Sequence, residues 1–292
     1  MRKISLFFLL ISGIIFSQQS VLEQKLNSIT KDKNATVAVS VHSFEDNIKL
    51  SINGDKKLPL LSVFKFHIAL TVLNLVDQKK LSLKQKILVT KGDLHENTWS
   101  PFRKKYPNGN VEITLEELLQ YMVSQSDNNI TDLLIRLVGG TQSVQNFMDK
   151  MKVKDFTIKA DESKMHEGYE FHYLNTSTAN SLNQLLKNFY DKKIISKSST
   201  LFLMKTMLET TTGANKIVAL LPKETPVAHR TGSSGKNEEG LTIAENDIGI
   251  ITLPNGKHIA LSVLVSDSME SEETNTKMVA EIAKVVYENF NK

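Results

Sequence analysis

The sequence of 292 residues contains no cysteine, and this absence excludes several kinds of function. Without cysteine there is no thiolate nucleophile, no thiolate-bound metal and no disulfide, so stability has to come from a packed core. The formal net charge of only +4 gives no electrostatic footprint for nucleic acid. With 40% hydrophobic and 23% charged residues, the composition is typical of a globular protein, and the partner is expected to be a small molecule.

The chain also lacks a hydrophobic run long enough to cross a membrane comfortably. Its one notable apolar stretch is short and lies at its start. Arg2 and Lys3 precede an apolar run over residues 4–16, which is too short to span a bilayer comfortably. This pattern predicts a secretory signal peptide over residues 1–17 and a mature protein over residues 18–292 without a stable membrane anchor. We therefore expect a periplasmic protein; the alternative is an uncleaved N-terminal anchor.

The hydrophobic pattern along the chain changes from strands to helices and back to strands. Alternation of apolar and polar residues predicts strands at 35–44, around Leu50, and at 227–231, 248–253 and 258–265. Apolar residues at helical spacing predict helices from Leu61, after Thr114, and at 127–138, 141–150, 176–189, 199–209 and 272–290. This order predicts an α/β (α+β) fold with a discontinuous antiparallel-sheet lobe flanked by helices, formed by residues 18–60 and 212–292. An all-helical lobe of residues 61–211 is inserted into it, and a cleft is expected between the lobes.

Ser62-Val63-Phe64-Lys65 places a hydroxyl and an amine three residues apart, at the start of a strongly apolar helix. Residues with this spacing share one helix face, so the Lys65 amine is expected to reach the Ser62 hydroxyl, a nucleophile next to a base. The same Ser-x-x-Lys spacing also occurs at Ser28 and Ser233. For Ser28 an ordinary helix cap with a solvated lysine is the better interpretation, because no buried helix follows it.

Two further motifs follow in order. Ser126-Asp127-Asn128 lies between two predicted helices. All three residues are good N-caps, so an ordinary helix cap also explains the motif. Arg230-Thr231-Gly232-Ser233 lies on a predicted strand that ends at the glycine, which would also suit a basic edge strand. Each simple explanation is adequate by itself, but together the three motifs, each in a suitable setting, are hard to attribute to chance.

Ser-x-x-Lys with Ser-Asp-Asn and Lys-Thr-Gly is the signature of class A β-lactamases and penicillin-binding proteins. Over nearly all of its mature length this sequence resembles a class A serine β-lactamase. The longer segments around the motifs are similar to the extended-spectrum branch of Bacteroides-like Gram-negative bacteria: SVFKFHIAL, SQSDNNITDLL, ETTTGANK, AHRTGSSG and NDIGIITLPNG.

The resemblance implies a β-lactam-hydrolysing enzyme that uses a covalent acyl-enzyme on Ser62 and confers antibiotic resistance. Backbone N–H groups of Ser62 and Ser233 would stabilise the oxyanion, and Ser126 would protonate the lactam nitrogen. Either Lys65 or Glu162, acting through a water, would take the serine proton, a point that is disputed for the family. The resemblance also implies a substrate-binding set: Asn128 for the acylamide side chain, and Arg230, Thr231, Gly232 and Ser233 around the substrate carboxylate.

The family also carries a glutamate that activates the deacylating water, usually in the pattern Glu-x-x-Leu-Asn. The best match here is Glu162, with Met165-His166 in place of Leu-Asn, and His166 would help to hold the water. Three other acids in this charged segment compete for the role: Asp161, Glu167 and Glu170. A carboxylate that is ionised at neutral pH is a suitable general base for water.

Several positions allow two interpretations. Arg230 occupies the position where the family usually has lysine. It keeps the positive charge, but a planar guanidinium replaces the compact ammonium group. Lys216 is either a second cation for the substrate carboxylate or a solvated lysine. Trp99, the single tryptophan, either lines the cleft or belongs to the core. His67 is expected to be a packed core histidine.

We expect no cofactor and no metal, because none of the seven histidines has a partner at the spacing of a zinc site. The expected partner is a β-lactam and the expected state is a monomer. One rival function is a penicillin-binding D,D-peptidase that acylates on Ser62 and deacylates slowly. The other is a non-catalytic ligand-binding homologue in which Arg230 has disabled the site.

Overall fold

A five-stranded antiparallel sheet forms one half of the molecule. The structure, a computed structural model, describes residues 20–291, so the predicted signal peptide lies outside the described residues. The sheet order is β2-β1-β9-β8-β7, so the strand nearest the N-terminus pairs with the last strand. Its members are β1 (Thr36–Ser43), β2 (Ile48–Ile52), β7 (Val227–Ser233), β8 (Thr242–Thr252) and β9 (His258–Ser268).

The sheet is covered on both faces, and its strands carry apolar side chains accordingly. Val37 and Val39 of β1 pack in one hydrophobic cluster with Ile282 and Val286 of the C-terminal helix. Ala38, between the two valines, belongs to the second and larger cluster on the other side of the sheet. Successive side chains of a strand point to opposite faces, which explains why neighbours in sequence enter different cores.

Helices make up the second half and also flank the sheet. They are α1 (residues 20–30), α2 (Lys65–Asp77), α3 (Pro101–Lys105), α4 (Leu115–Ser124), α5 (Asn128–Val138), α6 (Thr141–Lys150), α7 (Glu162–Met165), α8 (Ala179–Tyr190), α9 (Lys197–Leu208) and α10 (Glu272–Phe290). Two small two-stranded sheets accompany them: β3 (Leu58–Pro59) with β6 (Thr176–Ser177), and β4 (Lys86–Val89) with β5 (Val111–Thr114). Helix α2 is buried along most of its length, from Lys65 to Leu73, and forms the centre of the helical half.

Local signals in the sequence account for many of the element boundaries. The Thr114 side chain accepts a hydrogen bond from Glu117 N at the start of α4, as the predicted capping motif requires. Gly139 ends α5 with φ of 95°, a left-handed conformation that glycine adopts without a steric penalty. Asn47 has φ of 52° in the turn between β1 and β2, where a turn was predicted.

Several boundary predictions were wrong. The strand expected over 248–253 spans Thr242–Thr252, and the strand expected over 258–265 extends to Ser268. The helix expected from Leu61 begins with a 3₁₀ turn over Leu61–Phe64, and the α-helix starts only at Lys65. The helix expected over 176–189 starts at Ala179, because Thr176–Ser177 pairs with Leu58–Pro59 in a short sheet. Pairing between segments more than a hundred residues apart is not visible in a local hydrophobic pattern.

The predicted fold class is confirmed: an antiparallel sheet flanked by helices, with a helical region inserted between its strands. The exact lobe boundaries, 18–60 and 212–292 around 61–211, stay a prediction. Within residues 20–291, the helices are all too short or too polar to cross a membrane.

Candidate active site

Ser62 lies in the tight turn that connects β3 to α2. The residue before it, Leu61, has φ of 45°, a left-handed conformation that is costly for a side chain of this size. Ser62 is half-buried and lines a cleft of about 350 Å³. The cleft is also lined by Thr98, Asn128, Glu162, His166, Tyr169 and Ser233. A strained backbone that presents a hydroxyl to a cleft is a common feature of functional sites.

Strand β7 approaches this turn closely, and the approach depends on Gly232. A Cβ atom at Gly232 would lie 2.4 Å from Leu60 O and 3.1 Å from the backbone nitrogen of Ser62. Any other side chain would therefore push β7 away from the turn. The glycine brings the backbone around Ser233 next to that of Ser62, where two N–H groups can face one oxygen.

The Lys65 amine contacts several of the other predicted site residues. It is fully buried, and its Nζ lies 2.8 Å from Glu162 Oε1, 2.5 Å from Asn128 Oδ1, 3.3 Å from Ser126 Oγ and 2.9 Å from Ser126 O. Burial lowers the pKa of Lys65 to about 8, while the nearby Glu162 carboxylate acts in the opposite direction. Among the described residues, Nζ makes no hydrogen bond to Ser62, which differs from the expected direct pair. All the acceptors around this amine are oxygens on other segments.

The second motif forms a loop that is rigidly held. Ser126 has φ of 59°, and its hydroxyl accepts a 2.7 Å hydrogen bond from Nη2 of Arg230. The buried Asp127 carboxylate caps α5 by accepting from Ile130 N, and it also accepts from Ser100 Oγ and Phe102 N. These contacts fix the positions of Ser126 and Asn128 on either side of Asp127.

Glu162 is the first residue of the short helix α7, and two carboxylates hold that helix start. Asp132 Oδ1 accepts from Glu162 N at 2.7 Å, and Asp132 Oδ2 accepts from Ser163 N at 2.9 Å. Asp161 caps the same turn by accepting from Lys164 N. Burial raises the pKa of Asp132 to about 6. Asp132 is one helical turn beyond Asn128 on α5, so one face of this helix both holds the start of α7 through Asp132 and lines the cleft through Asn128.

The four acids that competed for the base position differ clearly in their placement. Of these, only Glu162 lines the cleft. Glu167 is exposed and pairs with Lys164, and Asp161 is engaged in capping α7. A second cavity of about 260 Å³ adjoins the cleft, and Glu162 and His166 line both. Glu162 therefore lies at the boundary between the cleft and the second cavity.

Arg230 is completely buried and does not line the cleft itself. Burial lowers the pKa of Arg230 to about 10, and the Glu162 carboxylate opposes this shift. Only Nη2 has a hydrogen-bond partner among the described residues, the Ser126 hydroxyl. Next to it on β7, Thr231 shares a 2.7 Å hydroxyl contact with Thr212. The Arg230 cation thus orients Ser126 directly.

The structure resolves the two open alternatives, at Lys216 and Trp99, and confirms the prediction for His67. Lys216 is only 3% exposed, so the solvated interpretation is wrong; it pairs with Glu245. Trp99 is 51% exposed, so it is not a core residue, and its Nε1 donates to Gln125 O. His67 is a core histidine as predicted, with its ring stacked on Phe156 at 4.1 Å. Burial lowers the pKa of His67 to about 3, so it is neutral at physiological pH.

Sequence reasoning did not identify two carboxylates that support the site. Asp132 could have been found from its spacing of four from Asn128, which predicts a shared helix face. Glu245 had no such signal, because its relation to Ser233 depends on the register of β7 with β8. Within residues 20–291, no three His, Asp or Glu side chains come together in a way that could hold a metal ion.

Known proteins share this fold and sequence over almost the whole chain. The sequence model described as the β-lactamase enzyme family matches residues 21–290. The β-lactamase VEB-1 of Pseudomonas aeruginosa is 43% identical over 291 residues, covering 98% of this chain and 95% of VEB-1.

Among solved structures, the TLA-1 extended-spectrum β-lactamase is 48% identical, with a TM-score of 0.92 over 94% of this chain and 99% of the other. A class A β-lactamase from Bacteroides cellulosilyticus is 38% identical, with a TM-score of 0.90 over 94% and 98%. The resemblance inferred from the motifs is confirmed. This chain belongs to the β-lactamase enzyme family, in its class A, and is a hydrolase of cyclic amides.

Proposed function

We propose that the protein opens the β-lactam ring of penicillins and cephalosporins through a covalent acyl-enzyme on Ser62, with water activated by Glu162 releasing the product. Antibiotic resistance is the biological result. One observation carries the proposal: the buried Lys65 amine lies within hydrogen-bond distance of Ser126, Asn128 and Glu162, which come from two other segments of the chain. The TLA-1 relative is described as extended-spectrum, which supports a similarly wide substrate range here.

Acylation begins when the Ser62 oxygen attacks the lactam carbonyl. The backbone N–H groups of Ser62 and Ser233 stabilise the negative oxygen that forms, and the close approach of β7 at Gly232 supports this pairing. The C–N bond of the ring then breaks, and the nitrogen takes a proton from the Ser126 hydroxyl. That hydroxyl is suited to the role because it contacts two cations, Arg230 and Lys65.

Glu162, acting through a water, is the better candidate for removing the Ser62 proton. With a pKa of about 8, Lys65 is mostly an ammonium at neutral pH, and its surroundings of four oxygens suit the charged form. An ammonium cannot accept a proton, but it stabilises the negative charge that develops on Ser62 and on Ser126.

This assignment predicts the pH dependence of acylation. If Lys65 acts as a cation, the acylation rate constant should stay level up to about pH 8, the pKa of Lys65, and fall above it. Stopped-flow measurement of the acylation step with a chromogenic cephalosporin checks this directly. A rate that rises with increasing pH and levels off above about pH 8 would instead assign the proton transfer to neutral Lys65.

Substrate binding uses both sides of the cleft. Asn128 faces the acylamide side chain of the substrate from the helical side, where it lines the cleft. Thr231, Gly232 and Ser233 hold the carboxylate on the β7 side, and the buried Arg230 supplies the attracting charge.

Before deacylation, the Lys65 ammonium gives a proton to Ser126 and takes the one that Glu162 received from Ser62, since it contacts both groups, and Glu162 is a carboxylate again. In deacylation, Glu162 takes a proton from water, the hydroxide attacks the ester carbonyl, the bond to Ser62 breaks, and the Ser62 oxygen takes the proton from Glu162. His166, which lines both cavities, helps to hold that water.

The place of action proposed for the mature chain is the periplasm, where it would work as a monomer without a cofactor. The basic start and the apolar run over residues 4–16 support export with cleavage after residue 17.

A chromogenic cephalosporin assay on the purified protein, with and without a serine-directed inhibitor, tests the proposed function. Catalytic turnover that the inhibitor abolishes is expected. Stoichiometric labelling of Ser62 by benzylpenicillin without turnover would instead identify a D,D-peptidase. Absence of any adduct by mass spectrometry would identify a non-catalytic binding protein.

A further inference from the structure

A buried ion pair lies directly beside the β7 end of the cleft and has no part in the steps above. Lys216 Nζ is 2.5 Å from Glu245 Oε1, and the two side chains are 3% and 5% exposed. Glu245 faces Ser233 across the β7–β8 ladder, so its side chain is fixed next to the residue that lines the cleft.

All the side-chain donors around this pair are already engaged in hydrogen bonds. Lys216 Nζ donates to Ser233 Oγ at 2.9 Å and to Asn246 O at 3.0 Å, in addition to its contact with Glu245. These three acceptors use all three N–H groups of the ammonium. The single hydroxyl proton of Ser233 is donated to Glu245 Oε1 at 2.7 Å.

Ser233 can therefore donate to a substrate carboxylate only by giving up its bond to Glu245, and Lys216 only by giving up one of its three acceptors. The Glu245 carboxylate also balances the charge of Lys216 at close range, so little positive potential reaches the cleft from this lysine. Arg230, by contrast, has no carboxylate among its hydrogen-bond partners in the part of the chain that the structure describes.

We propose that Glu245 is a specificity-determining residue that masks Lys216 and Ser233, and so weakens the attraction of the cleft for the carboxylate of the β-lactam. This inference rests on the proposed function, because it concerns the same substrate site. It also explains why Lys216 lies where a second carboxylate-binding cation was expected and yet is engaged elsewhere.

The test compares benzylpenicillin with its methyl ester, which lacks the negative charge, in the wild type and in Glu245→Gln. Glutamine keeps the size and one acceptor oxygen but leaves Lys216 unbalanced. For the acid, kcat/KM should rise about tenfold through a lower KM, the size expected for one added charge-assisted hydrogen bond, while kcat and all values for the ester stay unchanged. Adding Lys216→Met to this variant should cancel the gain.

Glu239→Gln is the matched control, because it removes an exposed charge from the same hairpin without touching the pair. Equal changes for acid and ester, no change for either, or a gain that survives Lys216→Met would each overturn the inference. Turnover of benzylpenicillin by the wild type is measured in the same series, so failure of the proposed function would be recognised separately. Thermal unfolding of each variant shows whether the loss of the buried pair has altered folding.

Discussion

Replacement of Ser62 by alanine is expected to abolish both β-lactam hydrolysis and covalent labelling. The hydroxyl is the proposed nucleophile, and alanine leaves the turn, the cleft and the Lys65 contacts in place. Removal of a serine nucleophile from an acyl-transfer hydrolase costs a factor on the order of 10⁶ in kcat. Steady-state rates with a chromogenic cephalosporin and intact-protein mass spectrometry after incubation with benzylpenicillin measure the two losses.

Ser28→Ala is the control that the chain itself offers. Ser28 has the same Ser-x-x-Lys spacing, but its exposed hydroxyl only donates to the carbonyl of Lys25. We expect this variant to retain wild-type rates. Substantial turnover in Ser62→Ala, or an adduct mapped to another residue, would remove the central assignment.

Replacement of Glu162 by alanine is expected to separate the two halves of the reaction. Deacylation should slow by about 10²–10⁴-fold, the usual contribution of a positioned general base, so that the acyl-enzyme accumulates. Glu162 is also the proposed base of acylation, so this step should slow as well. The Glu162 carboxylate raises the pKa of Lys65, however, so its removal should lower that pKa and provide neutral amine that takes the Ser62 proton in its place. A burst of product equal to the enzyme concentration, followed by a slow steady state, is the kinetic signature to be measured.

Glu167→Ala serves as the matched control for this variant. Glu167 belongs to the same segment, but it is exposed and pairs with Lys164 at the surface. Its loss should leave the rate of deacylation unchanged. If Glu162→Ala turned over at the wild-type rate, another acid would have to activate the water; if Glu167→Ala accumulated the acyl-enzyme, that acid would be Glu167.

The sequence predicted the elements best where local chemistry sets them. Thr114 before a charged first turn, Gly139 after α5 and the alternation in β1 are local signals, and all three agree with the structure. The sequence-based predictions failed where contacts between distant segments determine the backbone conformation. Thr176 and Ser177 fit a helical pattern, but they form a strand that pairs with β3. The 3₁₀ turn at Ser62 has the same origin, because β7 packs against it through Gly232.

For the site, the sequence by itself determined which chemical groups are available. Three short motifs and one acidic segment supply a hydroxyl, an amine, a carboxylate and a buried cation, and their order along the chain indicated the family. Only the tertiary structure decided which of these groups touch. It directed Lys65 towards Ser126, Asn128 and Glu162 rather than towards Ser62, and it placed Glu245 in contact with both Lys216 and Ser233. The reason is physical: hydrogen bonds and ion pairs depend on distances of a few ångströms, and those distances are set by sheet register and helix packing between remote segments.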